Sequence, residues 1–356
     1  MTWIEAWKDT FGISSEVPLG VVAFGAVFCL YFFVVLASSI IFNFLDHKIT
    51  ADLQARVGPN RAGPKGIFHF LADFLKLMEK GITRKKGAPN WLWFSLHSMA
   101  LYSTIAALPI GADLVLLNTD MSALVPVWTF IVLALGLMLL GLEQRTVSGG
   151  FGGLRLAAQV LAGSFPSTVA ILCVGFKSGG LKWTQIVDAQ GAYPHHWTAF
   201  SDPFSFIAFC VFLCGGLILL SVPPFDAALG PSELAGGISS QEAGRRLSLF
   251  WFGRFYGFFF WSMMTAALFL GGWRAPEAVT EIARGVAGPW LYRALEAGVI
   301  VSKAFFVMLS WVVVSRVVPR LRSDQITGFA WKILCPFALV ALAGVSIWIS
   351  FVGIGS

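Results

Sequence analysis

Ionisable side chains lie in or beside long apolar runs of this sequence, and their types could transfer protons or balance charge. A row of carboxylates can relay protons, because each charge shifts the pKa of its neighbours toward neutrality. An ionisable group in a lipid bilayer costs roughly 2.5 to 3.5 kcal/mol on insertion scales, so such groups persist mainly where they have a task. The acidic candidates are Asp46, Asp73, Glu79, Glu143, Asp226 and Glu233, and the basic candidates are Arg155, Arg254 and Lys303.

Arg254 lies inside the aromatic string WFGRFY, where its guanidinium needs a carboxylate, a carbonyl oxygen or water as a partner. Two interpretations stay open at this point. The side chain could extend to the surface about two helical turns away, or it could form a buried pair with Glu233 or Asp226. Lys303, in a later apolar run, raises the same question.

The sequence lacks the patterns that bind the common redox groups and nucleotides. Its five cysteines fall in or beside apolar runs without the CxxC spacing of zinc or iron-sulfur sites, so we interpret them as small core residues. There is no Rossmann glycine fingerprint and no Walker loop. We therefore expect no metal site, and no nicotinamide, nucleotide or iron-sulfur cluster bound by this chain alone.

The elements that carry these residues must lie in a membrane. Hydrophobic residues make up 57% of the 356, only 12% are charged, and the mean hydropathy is +0.76. The formal net charge of +6 comes from Lys and Arg in a few short loops, which is typical of membrane topology and not of nucleic-acid binding. We expect one membrane domain over residues 1–356, with a segment 1–15 that lacks the features of a cleaved signal peptide.

Long apolar runs predict transmembrane helices, because about 20 apolar residues cross a bilayer and backbone polar groups there must pair internally. The fold class expected is an all-α integral membrane protein with about eight spans. The predicted spans are Val17 to Leu45, Trp91 to Gly111, Ala123 to Leu142, Ala157 to Phe176, Pro203 to Val222, Leu247 to Trp273, Leu291 to Val314 and Trp331 to Ile354.

The basic residues predict which way the spans run. Most Lys and Arg fall in the loops after odd-numbered spans, including the loops over residues 46–90, 223–246 and 315–330. By the positive-inside rule these loops face the cytoplasm, and with eight spans both termini lie on the other side.

The first of these loops combines a rigid bend with a second kind of helix. Pro59 and Pro64 interrupt helix and Gly58 permits a tight turn, so we expect a basic elbow over residues 46–90. From Gly66 to Lys80, apolar residues recur at helical spacing among charges, which predicts an amphipathic helix at the membrane interface; a simple core helix is the alternative.

Four blocks in this order resemble the quinone-channel subunit of respiratory complex I, which is the H subunit in bacteria and subunit 1 in mitochondria. The elbow resembles the family's first signature, which has a Glu-Arg-Lys type start, then Gln-x-Arg-x-Gly-Pro-Asn and Ala-Asp-x-x-Lys. Its matching residues are Gln54, Arg56, Gly58, Pro59, Asn60, Gly63, Pro64, Ala72, Asp73 and Lys76. The other blocks match through Gly152, Leu154, Arg155, Ala157, Ala158 and Gln159, then Pro224, Phe225, Asp226, Glu233, Leu234 and Gly237, and finally Pro319, Arg320, Arg322, Asp324, Gln325, Trp331, Lys332 and Pro336.

The chain departs from that family at several acidic positions. The first-motif Glu corresponds to Asp46, and other family glutamates fall on Ser164, Leu229 and Pro231, which cannot titrate. A further Glu aligns with Arg254, which reverses the charge. The resemblance implies a proton-conducting acidic chain, so these losses predict a changed or weakened coupling.

The resemblance also implies a function and partners. We expect a non-redox membrane subunit of a proton-translocating NADH:quinone oxidoreductase in a bacterial inner membrane, with a mitochondrial inner membrane as the alternative. It would form a quinone chamber entered between the first span, the interfacial helix and the sixth span, and partner subunits would carry FMN and iron-sulfur clusters. Phe68, Phe70 and Phe74 would line the isoprenoid route, while Lys48, Arg56 and Arg61 would hold acidic partner surfaces.

Three other functions remain open from the sequence. One is the same role in a related complex with another electron donor, such as a membrane-bound hydrogenase or a ferredoxin-linked oxidoreductase. Another is a structural anchor that no longer uses quinone. The third is an independent transporter, which the missing inverted repeat disfavours.

Overall fold

A computed structural model of the chain describes residues 19–81, 95–97, 99–100, 103–104, 106–112, 115, 117–144, 146–230, 233–240, 242–275 and 289–352. Within these ranges the regular elements are all helical, which confirms the all-α class. The helices are α1 (Leu19–Leu53), α2 (His69–Glu79), α3 (Val125–Glu143), α4 (Val147–Ser178), α5 (Trp183–Asp188), α6 (Thr198–Ser201), α7 (Pro203–Leu219), α8 (Arg245–Phe269), α9 (Pro289–Val317), α10 (Ser323–Phe329) and α11 (Cys335–Val352). Short 3-10 turns cover Pro64–Gly66, Pro194–His196 and Gly237–Ser239, and a π-helical segment, Ala330–Leu334, joins α10 to α11.

Helices lie at the predicted spans. Four of the described helical segments are long and apolar enough to cross a membrane, and these are Val125–Glu143, Val147–Ser178, Tyr292–Val317 and Ser323–Phe351. Pro203–Leu219 is a shorter apolar helix. The second predicted span is described only in part, as helical residues between 95 and 106, and the predicted segment 1–15 and residues 82–90 of the elbow lie outside the described residues.

Several predicted boundaries were wrong. The first helix continues past Leu45 to Leu53, so Asp46 and Lys48 lie on α1 and not in the elbow. The fourth span was predicted from Ala157, but α4 begins at Val147, where the Thr146 hydroxyl accepts a hydrogen bond from the Gly149 N–H at 3.3 Å. The sixth ends at Phe269 instead of Trp273, because Gly271 and Gly272 adopt positive φ.

The core forms where α4, α7 and α8 meet α3, α9 and α11. Trp261 of α8 is fully buried, stacks on Phe212 of α7 at 4.9 Å between ring centroids, and meets Phe130 of α3 edge to face at 5.3 Å. Gly216 allows this approach, since a Cβ there would lie 2.0 Å from the indole nitrogen. This packing fixes the starts of α4 and α8 beside the end of α7, and the candidate site is built there.

Candidate functional site

The elbow begins at the end of α1 and is held by bonds within itself. The helix ends through Ala55 at positive φ, and the Arg56 N–H donates to the Ala51 carbonyl at 2.9 Å. Lys48 donates to the Asn60 side chain at 3.4 Å, which ties the last turns of α1 to the Gly-Pro-Asn string. Gly66, at φ 89°, packs so closely that a Cβ would lie 2.2 Å from the Pro59 carbonyl oxygen. The chain between α1 and α2 therefore forms a compact bend.

The helix predicted after the elbow is confirmed as α2, and it packs on α1 and α8 through aromatic rings. Phe70 is buried and meets Phe255 edge to face at 5.3 Å, while Phe74 lies 5.8 Å from Phe252. Phe42 of α1 lies 6.1 Å from Phe255. We call Phe42, Phe70, Phe74, Phe252 and Phe255 the aromatic seam.

The outer face of α2 remains exposed. Phe68, Leu75 and Met78 are 49%, 58% and 37% exposed, so an apolar strip faces away from the other helices described. Of the three phenylalanines expected along the isoprenoid route, Phe70 and Phe74 belong to the seam, and Phe68 lies outside it over Gly63. The location of α2 in the plane of a membrane interface stays a prediction.

Beside the seam lies a group of five charged residues that we call the arginine cluster: Asp46, Asp226, Arg254, Arg316 and Arg320. Arg316 near the end of α9 binds both carboxylate oxygens of Asp46 on α1 at 2.6 Å. Arg320 lies 3.5 Å from Asp226, whose side chain is 4% exposed. Arg254 of α8 interacts electrostatically with Asp226 and Asp46, and it lies 5.5 Å from the Trp251 ring.

The structure separates the two carboxylates that were considered as partners of Arg254. The acidic side chain expected as its alternative partner, Glu233, instead binds Arg155 at 2.8 Å, whereas Asp226 is the acidic group that interacts with it most strongly. Burial raises the pKa of the Asp226 carboxyl, and Arg254, Arg320 and the Leu229 N–H partly oppose that rise. The Oδ1 atom of Asp226 is buried without a hydrogen-bond partner. Three arginines against two carboxylates leave an excess positive charge.

Arg254 also lines a cavity of about 60 Å³, which is room for a few waters. Ser221, Leu229 and Gly253 lie in the same wall. Two positions where the resemblance implies carboxylates, Leu229 and Arg254, therefore face one small cavity. In this chain it is lined mainly by apolar side chains, with a cation in place of the acidic groups.

The other predicted charged residues lie in separate places. Glu143 binds Arg246 at 3.2 Å, and Asp73 lies 3.3 Å from His69 within α2. Glu79 is exposed at the end of α2. Lys303 lies near the far end of α8, where its ammonium donates to the carbonyls of Gly272 at 2.9 Å and Arg274 at 3.1 Å.

The sequence interpretation missed two sets of residues. Arg316 counted only among the loop charges and Arg320 only as a match in the fourth motif block, and no pattern linked them to α1 or to the third loop. His47 and His69 were not singled out, yet their rings meet edge to face at 5.7 Å and join α1 to α2. A signal was present for His47, because it stands where the Glu-Arg-Lys type start has an arginine.

Gln159 holds the third loop against α4. Its side-chain amide donates to the carbonyls of Ile218 at 2.7 Å and Phe225 at 2.6 Å, so it fixes the segment that carries Asp226. Among the residues that the structure describes, no group of three or more His, Cys, Asp or Glu side chains could hold a metal ion.

Together these features define an all-α membrane protein with a basic elbow, an aromatic seam and a charged cluster at one end of its helices. The chain belongs to the NADH dehydrogenase family, whose family model matches residues 25–346, and within it to the quinone-channel subunits of complex I. It is 30% identical over 316 residues to the H subunit of NADH-quinone oxidoreductase from Anaeromyxobacter dehalogenans, covering 85% of this chain and 76% of that protein.

A second relative supports the same relationship, and a solved structure shares the fold. The corresponding NADH-quinone oxidoreductase subunit of Chlorobaculum parvum is 27% identical over 358 residues, with 97% of this chain and 98% of the relative covered. A chain of the membrane-bound sulfane sulfur reductase, an archaeal respiratory membrane complex, has the same fold with a TM-score of 0.75 and 22% identity. That likeness covers 90% of this chain and 99% of the other. The protein is thus a membrane subunit of the complex I type.

Proposed function

We propose that this chain forms the membrane wall of a quinone chamber and the junction with a peripheral redox arm, in a proton-translocating NADH:quinone oxidoreductase. It would bind no FMN or iron-sulfur cluster itself and would transfer no electrons. The observation that carries the proposal is that elbow, aromatic seam and arginine cluster adjoin at one end of the helices, in a member of this family of complex I subunits. An oily acceptor needs an apolar wall, and a docked arm needs a charged surface.

The exposure of the side chains indicates a role for the elbow. Arg56 and Arg61 are exposed on the elbow, and Lys48 reaches Asn60 beside them, so they present cations to an acidic partner surface. The aromatic seam supplies rigid apolar surface for an isoprenoid tail. The basic end would face the cytoplasm of a bacterium, or the equivalent side of a mitochondrial inner membrane.

The replacement of family carboxylates favours a second candidate function, in which the chain is the same kind of membrane subunit in a different complex. Leu229 and Arg254 occupy one cavity where a row of acidic groups would be needed for the usual proton relay. A related complex with another electron donor and a different coupling would fit these replacements. Hydrogen and reduced ferredoxin are the donors to compare with NADH.

Replacing Arg56 with Ala tests the junction. We expect quinone reduction by membranes to fall roughly threefold or more, because an exposed cation that meets an acidic partner sets association and register. The assay measures quinone reduction with each of the three donors, alongside the amount of assembled complex.

Lys182→Ala is the matched control, since Lys182 is a half-exposed cation paired with Asp120 at the opposite end of the helices. Unchanged activity of Arg56→Ala with normal assembly would contradict the role of the elbow. An assembled wild-type complex that reduces quinone with none of the three donors would favour a structural anchor.

A further inference from the structure

A second polar site lies at the end of the helices opposite the elbow. It is a pocket of about 370 Å³ where the end of α4, helix α5, the turn Pro194–His196, α6 and the residue Arg274 after α8 meet. Pockets of roughly 300 Å³ or more accommodate small ligands or head groups. The quinone function proposed above uses none of these residues.

The walls of this pocket are held by buried hydrogen bonds. The Gln190 side chain donates to the carbonyls of Ala267 and Leu268, each at 3.0 Å, and accepts from the Gly271 N–H at 2.8 Å. Asp202 accepts from Lys177 at 2.6 Å and from the Ser205 N–H at 2.6 Å. The pocket is therefore preformed and not a gap between loose loops.

Its lining carries two cations, and each of them is paired with a carboxylate. Lys177 and Arg274 line the pocket, and Asp188 is the acidic residue in the same wall. Lys177 belongs to the lining, whereas Asp202, the carboxylate that binds it, does not. Of the three ammonium N–H groups, two go to Ser201 and Asp202, which leaves the third for a ligand.

Two histidines complete the set of donors. His195 and His196 lie in the pocket wall with their rings 4.0 Å apart, and Tyr193 stacks on His195 at 5.9 Å. The Arg274 guanidinium uses one nitrogen to bind Asp188 at 3.0 Å and has further donors. Several N–H donors around a preformed space suit an anion that accepts many hydrogen bonds, as a phosphate does.

Exposed aromatic rings flank the pocket. Phe176, next to Lys177, is 55% exposed, and Phe200, next to Ser201, is 54% exposed and lies 6.3 Å from Phe206. Exposed apolar rings of this kind are suited to contact with acyl chains. A phosphate bound there could carry acyl chains that lie along these rings.

We propose that this pocket binds the phosphate group of an anionic phospholipid, held by Lys177, Arg274 and the histidine pair. Free inorganic phosphate is the other source of the same chemistry. The inference does not depend on quinone reduction, because it concerns the opposite end of the molecule.

The test uses the full complex purified in detergent, with phosphatidylglycerol and inorganic phosphate as probes. Native mass spectrometry counts the phosphatidylglycerol molecules retained by the wild type and by the double variant Arg274→Gln/His196→Gln. We expect the variant to lose one retained lipid and to bind phosphatidylglycerol about tenfold more weakly, since charge-assisted hydrogen bonds are lost. Lys177 is left intact, because its pair with Asp202 is structural.

Lys182→Gln is the matched control, as a cation at the same end that does not line the pocket, and it should retain the lipid. Displacement of the lipid by equimolar inorganic phosphate would support the pocket with free phosphate as its ligand. Equal retention by the wild type and by an assembled double variant would overturn the proposal. If the double variant fails to assemble, the single variant Arg274→Lys takes its place. We expect this variant to retain phosphatidylglycerol more weakly than the wild type, and equal retention would contradict the site.

Discussion

At the residue scale, Asp226 shows how this chain handles a buried charge. Its carboxylate is almost fully enclosed between Arg320 and the electrostatically coupled Arg254, yet one oxygen has no hydrogen-bond partner. Loss of water raises its pKa, and the two arginines and the Leu229 N–H only partly compensate. Removing one partner of a buried ion pair usually destabilises a protein by about 3 to 5 kcal/mol. A carboxyl with a raised pKa differs, because its ionised form near neutral pH is itself unfavourable in the folded protein.

We therefore predict that Asp226→Asn stabilises the protein at pH 7. A carboxyl with a raised folded-state pKa contributes stability that is fully present below its unfolded value of 3.8 and is lost as pH rises through the folded value. An amide of the same shape never ionises, so the variant should lack this loss. Free energies of unfolding of the wild type and the variant, measured in detergent from pH 3 to 8, should agree at acid pH and then diverge, by at most about 1.4 kcal/mol per pH unit.

The half-exposed Glu233, which pairs with Arg155, supplies the control substitution Glu233→Gln. That surface pair should change the free energy of unfolding by less than about 1 kcal/mol. If Asp226→Asn were less stable than the wild type at pH 7, the attraction of the Asp226 carboxylate to the arginines would outweigh the cost of burying its charge.

At the element scale, α2 is both a packed helix and a helix with a bare apolar strip. Phe70 is 5% exposed against Phe255, whereas Phe68, two residues earlier, is 49% exposed. Phe70→Ala should therefore lower the free energy of unfolding by about 3 to 5 kcal/mol, through lost burial and the cavity left behind. Phe68→Ala should cost under about 1 kcal/mol.

Unfolding in detergent, with aromatic fluorescence and protease sensitivity of the elbow as two observables, measures both variants. Equal effects of the two substitutions would mean that α2 does not dock on α8 through the aromatic seam. Increased elbow cleavage in Phe70→Ala alone would support the packing described.

Sequence patterns located most helices but misjudged their ends, and the reasons are physical. Apolar length predicts the part of a helix inside lipid, so α1 was ended at Leu45 although its polar last turns continue to Leu53. The fourth span was predicted to begin at Ala157, but α4 already includes a glycine-rich first part that packs closely on α3: a Cβ on Gly141 would lie 2.4 Å from the Gly149 carbonyl oxygen. Small residues at helix contacts have this use in membranes.

The candidate site was predictable in its parts but not in its connections. The motif blocks identified Arg56 and Asp226 as family matches, and Arg254 stood out as a cation inside an aromatic apolar run. The bond from Arg316 to Asp46 joins residues 270 positions apart, and no local pattern encodes such a contact. The lipid-phosphate pocket was missed for the same reason, because its donors come from separate short segments.

At the scale of the whole molecule, polar function is divided between the two ends of the helices. The elbow, the arginine cluster and the starts of α4 and α8 lie at one end, and the pocket around Lys177 and Arg274 lies at the other. If basic loops face the cytoplasm, the arm and the quinone chamber belong to that side. The phosphate pocket would then take its lipid from the opposite leaflet.

This orientation predicts how two single-cysteine variants react with a membrane-impermeant thiol reagent. Arg322, 72% exposed in the loop after α9, lies at the basic end, and Asp120, 88% exposed before α3, lies at the other. We expect Asp120→Cys to react in right-side-out vesicles and Arg322→Cys only in inverted vesicles washed free of the peripheral arm. Both substitutions break only exposed ion pairs, which cost little. Labelling of the unsubstituted protein corrects for its native cysteines. The reverse pattern of labelling would place the elbow and the arginine cluster on the side away from the cytoplasm. An arm that draws electrons from the cytoplasm could not dock there.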